Sequence, residues 1–312
     1  MPAVQLRSVV AFVRLGRPLF LGGGFLLFAL GAASAALSGH RIDRQRYALG
    51  QAAVTAFQLM THYANDYYDY DADRANATPT KWSGGSRVLA NDELARWVAL
   101  VAALVLAALG LAATVALSCD AGGWTAPALL AILVLAWEYS APPLRLCATG
   151  FGELDTAVVV TGLVPILGFS LQAPDLAGLG TLGLALVPVA LLQFAMLLAI
   201  EFPDAAGDAA TGKRTLVVRL GPARAAKLYV AITALAYLWL PVAVELGLPA
   251  RVAWCAALSA PVAAWRVARI AEHRDPAAYD RLTSFAVVLL VATCSGELVD
   301  LVTLWLGHRI AT

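Results

Sequence analysis

Residues 65–73 read Asn65-Asp66-Tyr67-Tyr68-Asp69-Tyr70-Asp71-Ala72-Asp73, a stretch that follows a long apolar run. If this stretch is helical, Asn65, Asp69 and Asp73 recur every fourth residue and lie on one face. Carboxylates at that spacing repel each other unless a cation lies between them. This first acidic segment therefore predicts a cation-dependent site at the end of an apolar helix.

A second acidic segment follows another apolar run. Asp204 and Asp208 are also four residues apart, and they lead into Gly212-Lys213-Arg214-Thr215. Neither acidic segment has the loop pattern of a calcium-binding EF-hand, whereas one or two carboxylates together with substrate phosphates are a common Mg²⁺ environment. We expect the rest of the chain to bring the two segments face to face.

The composition is that of an integral membrane protein. Apolar residues make up 60% of the chain and charged residues 14%, with a mean hydropathy of +0.73, whereas soluble proteins have about a quarter charged residues. The net charge is only +1, and we expect no nucleic-acid partner. The cysteines show no CxxC or metal-binding spacing, so we interpret them as structural thiols. They are Cys119, Cys147, Cys255 and Cys294.

Nine apolar runs are long enough to cross a bilayer. The predicted spans are residues 18–38, 46–64, 94–117, 124–140, 154–172, 179–201, 225–247, 250–270 and 283–306. Open sheet edges cannot be satisfied in lipid, so the predicted fold is an all-α bundle of nine transmembrane helices. We expect residues 1–312 to form a single membrane-embedded domain, with residues 4–13 lying on the membrane surface.

The basic residues predict the orientation of this bundle. With nine spans, the loops on one side of the membrane hold only five of the 22 Lys and Arg residues. These five are Arg41, Arg44, Arg46, Arg251 and Arg309. The positive-inside rule then places the N-terminus and both acidic segments on the cytoplasmic side and the C-terminus outside. The expected location is the inner membrane of a bacterial-type cell.

Two carboxylate clusters at the mouth of an apolar bundle suit a diphosphate held through Mg²⁺. The cations would cancel the repulsion within each cluster and withdraw charge from a leaving group. Basic side chains nearby would then bind the outer phosphate oxygens. The candidates for that role are Lys81, Arg87, Arg145, Lys213 and Arg214.

Both acidic segments resemble the Asp-rich motifs of the UbiA superfamily of intramembrane prenyltransferases. The resemblance extends over nearly the whole chain, through Gly16-Arg17-Pro18, Ser83-Gly84-Gly85-Ser86-Arg87, Tyr139-Ser140-Ala141-Pro142-Pro143-Leu144-Arg145 and Gly150-Phe151-Gly152-Glu153. The run Leu216-Val217-Val218-Arg219-Leu220-Gly221 is similar to the branch that prenylates 1,4-dihydroxy-2-naphthoate in menaquinone synthesis.

The resemblance implies an enzyme that ionises an isoprenyl diphosphate and lets an aromatic acceptor capture the allyl cation. By match to the family pattern, the Mg²⁺ ligands are Asn65, Asp66, Asp69, Asp73, Asp204 and Asp208. The diphosphate would be neutralised by Arg17, Lys81, Arg145, Lys213 and Arg214. Tyr139 and Ser140 would lie near the reacting end of the prenyl chain. Asp69, Asp208, Tyr139 and Arg145 are the residues expected to carry catalysis.

One position departs from the family pattern. Quinone-branch members usually carry Asn a few residues before the second acidic motif, where this chain reads Ile200-Glu201-Phe202-Pro203-Asp204. The change concerns the acceptor and leaves the ionisation step untouched. Glu201 either takes over a polar role one turn before Asp204 or extends towards the membrane interface.

Three further intramembrane groups are open to two interpretations. Glu297 and Asp300 in the last span are either functional or hydrogen-bonded to a neighbouring helix. His62, one turn before Asn65, is either a base or an interfacial histidine whose hydrogen bonds are satisfied.

We interpret the chain as an Mg²⁺-dependent prenyltransferase whose partners are an isoprenyl diphosphate, a small aromatic acceptor and the lipid bilayer. A terpene cyclase of the same family is the alternative, since it shares the ionisation step and needs no acceptor. A transporter with ion-binding acidic pairs ranks last, because transporter sites lie near the bilayer midplane and these segments lie at span ends.

Overall fold

The computed structural model describes residues 2–119 and 123–311, and their side chains from 6 to 119 and from 123 to 307. Within those ranges the chain is helical and contains no strand. The helices are α1 Pro2–Leu15, α2 Pro18–Leu37, α3 Arg44–Tyr68, α4 Tyr70–Ala75, α5 Arg96–Ser118, α6 Thr125–Glu138, α7 Gly152–Val158, α8 Val164–Ser170, α9 Leu179–Ala210, α10 Leu216–Leu220, α11 Pro222–Glu245, α12 Ala250–Ala257, α13 Ala260–Ala268 and α14 Tyr279–Ala311. A wider helical turn, Val159–Leu163, joins α7 to α8.

Local sequence signals explain several helix starts. Pro18 and Pro222 occupy the first turns of α2 and α11, where the missing N–H costs no hydrogen bond. Asp43 caps α3, because its carboxylate accepts hydrogen bonds from the backbone N–H groups of Gln45 and Arg46. Arg17, just before α2, has a φ of 47°, so the chain turns sharply there and its side chain points back towards α3.

In the described part of the chain, six helical segments are long and apolar enough to cross a membrane, so the protein is a multi-pass membrane protein. They are Pro18–Leu37, Arg96–Ser118, Gly152–Ser170, Leu179–Ala210, Pro222–Glu245 and Pro276–Gly307. The other three predicted spans are helical, but each is either too short or not apolar enough to be counted. α6 has 14 residues, about 21 Å, and the predicted span at 250–270 is divided into α12 and α13. α3 is long enough, but its polar residues lower its hydropathy. The count of nine spans therefore stays a prediction.

The helices that carry the acidic segments differ from expectation at two points. The predicted helix through Asn65, Asp69 and Asp73 is interrupted, because α3 ends at Tyr68 and α4 begins at Tyr70. The i to i+4 backbone hydrogen bonds nevertheless continue, with Asp69 N to Asn65 O at 2.8 Å and Asp73 N to Asp69 O at 2.8 Å. The second difference is that α9 does not end near residue 201 but continues to Ala210, so Asp204 and Asp208 lie on the helix itself.

Close helix packing brings α2, α3, α9 and α14 around one cavity. A Cβ atom on Gly31 of α2 would overlap the carbonyl of Pro165 of α8, so only glycine allows that approach. Asp300 of α14 forms an ion pair with Arg251 of α12 at 3.0 Å. This contact supports the interpretation that the Asp300 carboxyl is bonded to a neighbouring helix. Glu297 is fully buried, and its carboxyl oxygens have no hydrogen bond within the described residues.

Candidate active site

A cavity of about 270 Å³ lies between α2, α3, α7, α9 and α14. This volume is just below the usual range for small-molecule pockets, about 300–1,000 Å³. Most of the wall is apolar, and it includes Phe20, Leu27, Val54, Phe57, Ile132, Val164, Met196, Leu197, Leu290 and Val291. One end is polar and charged, and it is formed by Arg17, Asn65, Asp69, Asp73, Tyr139, Asp204, Asp208 and Lys213. The cavity therefore combines an apolar interior with a charged mouth.

Arg17 joins the start of α2 to the first acidic segment. Its Nη2 donates to Asn65 Oδ1 at 2.9 Å and also contacts Asp66 Oδ1. Burial alone would lower the pKa of Arg17, but Asp66, Asp73 and Asp69 outweigh it and raise that pKa. Asp66 does not line the cavity, because its carboxylate also accepts hydrogen bonds from the backbone N–H and hydroxyl of Ser86.

Lys213 lies between the two acidic segments. Its Nζ donates to Asp69 Oδ2 at 2.8 Å and lies 3.6 Å from Asp208 Oδ1. Burial opposes the ammonium charge, yet the attraction of Asp69 and Asp208 raises the pKa of Lys213 well above its ordinary value. One protein cation therefore joins a carboxylate from each acidic segment.

Asn65 orients the first acidic segment. Its side-chain Nδ2 donates to Asp69 Oδ2 at 2.7 Å and to Ser140 Oγ at 3.1 Å. Ser140 is buried, and the neighbouring Tyr139 lines the cavity beside Cys147. Burial raises the pKa of the Cys147 thiol, which agrees with its interpretation as a structural thiol.

Asp73 lies against the loop that follows α4. Gly85 has a φ of +71°, and a Cβ there would overlap the Asp73 carboxylate, so the loop backbone approaches only because the residue is glycine. The Arg87 guanidinium donates to the backbone carbonyl of Asp73 and thereby holds the loop against α4. Burial raises the pKa of the Asp73 carboxyl well above its ordinary value; Arg17 opposes this shift and Asp66 adds to it.

Asn76 is a site residue that the sequence did not reveal. Its side-chain Nδ2 donates to Asp204 Oδ1 at 2.7 Å, and the backbone N–H of Gly84 donates to Asp204 Oδ2 at 3.2 Å. The only local signal is a small amide three residues after Asp73. Asn76 therefore connects the end of the first acidic segment to the second.

Four predicted phosphate-binding residues do not line the cavity. Lys81 is exposed and lies over the Trp82 ring, and Arg87 holds the loop as described above. Arg145 and Arg214 line a second cleft together with Gly212, Lys213 and Arg219. Their predicted role in diphosphate binding has no direct support from these positions.

His62 contacts the backbone carbonyl of Gly16 through Nδ1 at 2.8 Å. Because a carbonyl only accepts, Nδ1 carries a proton. His62 also lines the cavity, so its ring is hydrogen-bonded to the protein through Nδ1 and can also contact a ligand in the cavity.

The sequence model of the UbiA prenyltransferase family matches residues 25–293 of this chain. The chain belongs to the UbiA prenyltransferase family. The match includes both acidic segments and Lys213, whereas Arg17 precedes it.

Individual relatives of this UbiA-family chain agree with that assignment. It is 26% identical to 1,4-dihydroxy-2-naphthoate octaprenyltransferase of Bacillus subtilis (strain 168), over 58% of this chain and 57% of the relative. It is 31% identical to the enzyme of the same name from Mycobacterium tuberculosis (strain ATCC 25618 / H37Rv), over 60% of this chain and 62% of the relative. The chain thus spans about three fifths of the length of these curated relatives.

Among solved structures, a UbiA homolog from Archaeoglobus fulgidus bound to DMAPP and Mg²⁺ is similar in fold. The TM-score is 0.59 at 18% identity, and the match covers 92% of this chain and 98% of that chain. The all-helical fold inferred from the sequence is therefore confirmed as a UbiA-type fold.

The donor atoms at the cavity mouth fit a cation that arrives with a phosphate group. Asp69 Oδ1 is buried and has no hydrogen bond within the described residues, so one oxygen of this carboxylate is free to bind a ligand. Across the described ranges, no three His, Cys, Asp or Glu side chains form a ready metal-binding group. Mg²⁺ does not require one, because one or two carboxylates and substrate phosphates suffice.

The buried Asp73 carboxyl predicts a stability gain for Asp73→Asn without metal. Folding raises the pKa of the Asp73 carboxyl above its value of 3.8 in the unfolded chain. The folded protein therefore loses stability as pH rises from 3.8 through the folded-state pKa of this group. Asn stays neutral throughout. In chelator at pH 7, the variant should unfold about 2–4 °C above wild type. A series of thermal unfolding measurements should show this difference vanishing at acidic pH; a difference independent of pH would contradict the explanation.

Proposed function

We propose that this chain is an Mg²⁺-dependent prenyltransferase, a single membrane-embedded domain over residues 1–312. It transfers a prenyl group from an isoprenyl diphosphate to an aromatic acceptor of the naphthoate or quinone-precursor type. The observation that carries the proposal is the position of Lys213, which joins Asp69 and Asp208 at the mouth of an apolar cavity.

The charged mouth suits a diphosphate and the apolar interior suits a prenyl chain. The Mg²⁺ ligands would come from Asn65, Asp66, Asp69, Asp73, Asp204 and Asp208, with Asp66 acting mainly through Arg17. When bound, Mg²⁺ would supply positive charge to the leaving diphosphate. Arg17 and Lys213 neutralise phosphate oxygens as the C–O bond breaks and its electron pair moves to the diphosphate. Arg17 and Lys213 need not move when the C–O bond breaks, because carboxylates already hold both side chains in place.

The apolar wall protects the reactive intermediate. Tyr139 lines the cavity near Lys213, where its ring face can stabilise an allylic cation. The aliphatic and aromatic side chains of α2, α3 and α14 exclude water, which would otherwise capture the cation. Capture by the ring of the acceptor then forms the new carbon–carbon bond.

The two relatives named as 1,4-dihydroxy-2-naphthoate octaprenyltransferase support an aromatic acceptor. One observation favours the alternative, a terpene cyclase. Ile200 lines the cavity at the position where the quinone branch usually has Asn, so the wall lacks that polar group. Cyclisation needs only a folded prenyl chain, whereas transfer needs a second molecule within about 3–3.5 Å of the cation.

Purified protein should be incubated with geranyl, farnesyl and geranylgeranyl diphosphates, with and without dihydroxynaphthoate. We expect acceptor-dependent turnover and a covalent prenyl–arene product, measured by mass spectrometry. A cyclic hydrocarbon or alcohol formed at full rate without acceptor would replace the transferase with the cyclase. No consumption of any diphosphate would reject both.

We also propose that the cavity mouth faces the cytoplasm of a bacterial-type cell, with the N-terminus inside and the C-terminus outside. The uneven distribution of basic residues supports this orientation. A reporter fused after Thr312 should be active only in the periplasm or outside the cell. Cytoplasmic activity would contradict the proposed orientation.

A further inference from the structure

Glu201 has a carboxyl group on the cavity wall that forms no ion pair with the described residues. Glu201 lies on α9, one turn before Asp204, and it lines the cavity although the residue is only 8% exposed. At the mouth, Asp69 and Asp208 pair with Lys213, and Asp204 accepts hydrogen bonds from Asn76 and the backbone N–H of Gly84. Glu201 forms no ion pair with any residue of the described chain. Its charge is therefore not neutralised as part of the diphosphate-binding end.

A single backbone contact holds this carboxyl group. The N–H of Val217 donates to Glu201 Oε2 at 3.2 Å, and Oε1 has no hydrogen bond to the described residues. Glu153 of α7 lies beside Glu201 and interacts with it, and it is completely buried. Two adjacent carboxyls in an apolar surrounding repel each other when both are ionised, so at most one of them carries a charge. Glu201 is the member of the pair that reaches the cavity.

Two further polar side chains on this wall lack partners. Gln193 lies two turns before Glu201 on α9, lines the cavity, is 5% exposed and forms no hydrogen bond with described residues. Asp155 of α7 also lines the cavity, and its Oδ1 is buried without a partner. Buried polar groups are nearly always hydrogen-bonded. Such groups on an otherwise apolar wall indicate a polar ligand other than the prenyl chain.

We propose that Glu201 binds a hydroxyl group of the aromatic acceptor and removes its proton during transfer; this inference rests on the proposed function. After the C1–O bond has broken and its electron pair has left with the diphosphate, the ring carbon next to the hydroxyl bonds to C1 of the allylic cation. The hydroxyl proton passes to Glu201, which leaves a ring ketone. Movement of the ring proton to that oxygen restores the aromatic hydroxyl. Glu153 is a positioning residue for Glu201.

The proposal also specifies the class of acceptor. The wall formed by Glu201, Asp155 and Gln193 offers hydrogen-bond acceptors, which suit hydroxyl donors. A carboxylate on the acceptor would be repelled there and must point away from this wall. The acceptor is therefore a hydroxyarene bound through its hydroxyl group.

Glu201→Gln is the first test, because it keeps the shape and lowers the basicity. We expect kcat for transfer to fall about 100-fold, with the KM for the prenyl diphosphate unchanged. The dissociation constant of the prenyl diphosphate and the Mg²⁺ concentration for half-maximal rate should match wild type. Glu201→Asp should recover part of the transfer rate. Full transfer activity in the Gln variant, or a loss of prenyl diphosphate binding as large as the loss of transfer, would overturn the proposal.

The matched control is Glu297→Gln, which changes a fully buried carboxyl on α14 that does not line the cavity. It should leave the ratio of transfer to diphosphate release unchanged. A second measurement uses wild type and does not depend on the folding of a variant. An acceptor whose hydroxyls are O-methylated should not be prenylated, and its prenylation at full rate would overturn the proposal. If wild type consumes no prenyl diphosphate, the proposed function itself fails.

Discussion

Asp69→Asn and Asp208→Asn should each lower the turnover of the prenyl diphosphate by about a thousandfold or more. Each change removes a charged ligand while keeping the side-chain volume. Asp69 has a buried oxygen without a hydrogen bond, and both carboxylates border Lys213 at the cavity mouth. Steady-state turnover in detergent micelles, with circular dichroism to confirm the helical fold, measures the effect.

Asp71→Asn is the matched control for these two variants. Asp71 belongs to the same acidic segment, but it is exposed and does not line the cavity. We expect its turnover to lie within about twofold of wild type, since surface changes of this kind are worth little. EDTA should abolish turnover in wild type and in this control, and Mg²⁺ should restore it. Wild-type turnover in chelator would exclude the metal-dependent scheme.

Lys213→Met should reduce both stability and activity. The side chain is 14% exposed, and its loss leaves Asp69 and Asp208 without their shared cation. Removing one member of a buried ion pair costs about 3 kcal/mol or more, because the remaining charge is not compensated. Thermal unfolding in chelator should therefore begin at a lower temperature, and turnover should fall because phosphate neutralisation is lost.

Mg²⁺ separates the two effects in this variant. If the acidic segments bind the metal, adding Mg²⁺ should return part of the lost stability to Lys213→Met while turnover stays low. Lys227→Met removes an exposed lysine of α11 and should unfold like wild type. Identical unfolding of the two lysine variants in chelator would show that Lys213 does not hold the acidic segments together.

The sequence predicted the acidic segments well because their signal is local. The four-residue spacing of Asp69 and Asp73, and of Asp204 and Asp208, follows from helical periodicity and needs no knowledge of the fold. The helical ends were less predictable. Pro203 and the polar residues around it marked an end to the apolar run, yet α9 continues through them because packing against α4, α7 and α10 supports it.

Basic residues show the limit of reasoning from sequence. Six were predicted to face the diphosphate, and only Arg17 and Lys213 line the cavity. Arg17 reaches Asn65 from 48 positions away, and Lys213 reaches Asp69 from 144 positions away. Long side chains close in sequence to an acidic motif, such as Arg87, can still point elsewhere. The direction of such a side chain depends on the conformation of its loop, and the sequence of a loop has no periodic pattern from which that conformation can be predicted.

The sequence by itself determined that the protein is helical, that it belongs in a membrane and that it carries two acidic segments, because hydropathy and spacing are properties of the chain. Only the tertiary structure decided which groups meet: Lys213 between the two segments, Asn76 on Asp204, and Glu201 beside Glu153 without a cation. Such pairings depend on how α3, α7 and α9 pack around one cavity. Contacts between distant helices follow from packing geometry, which no local pattern encodes.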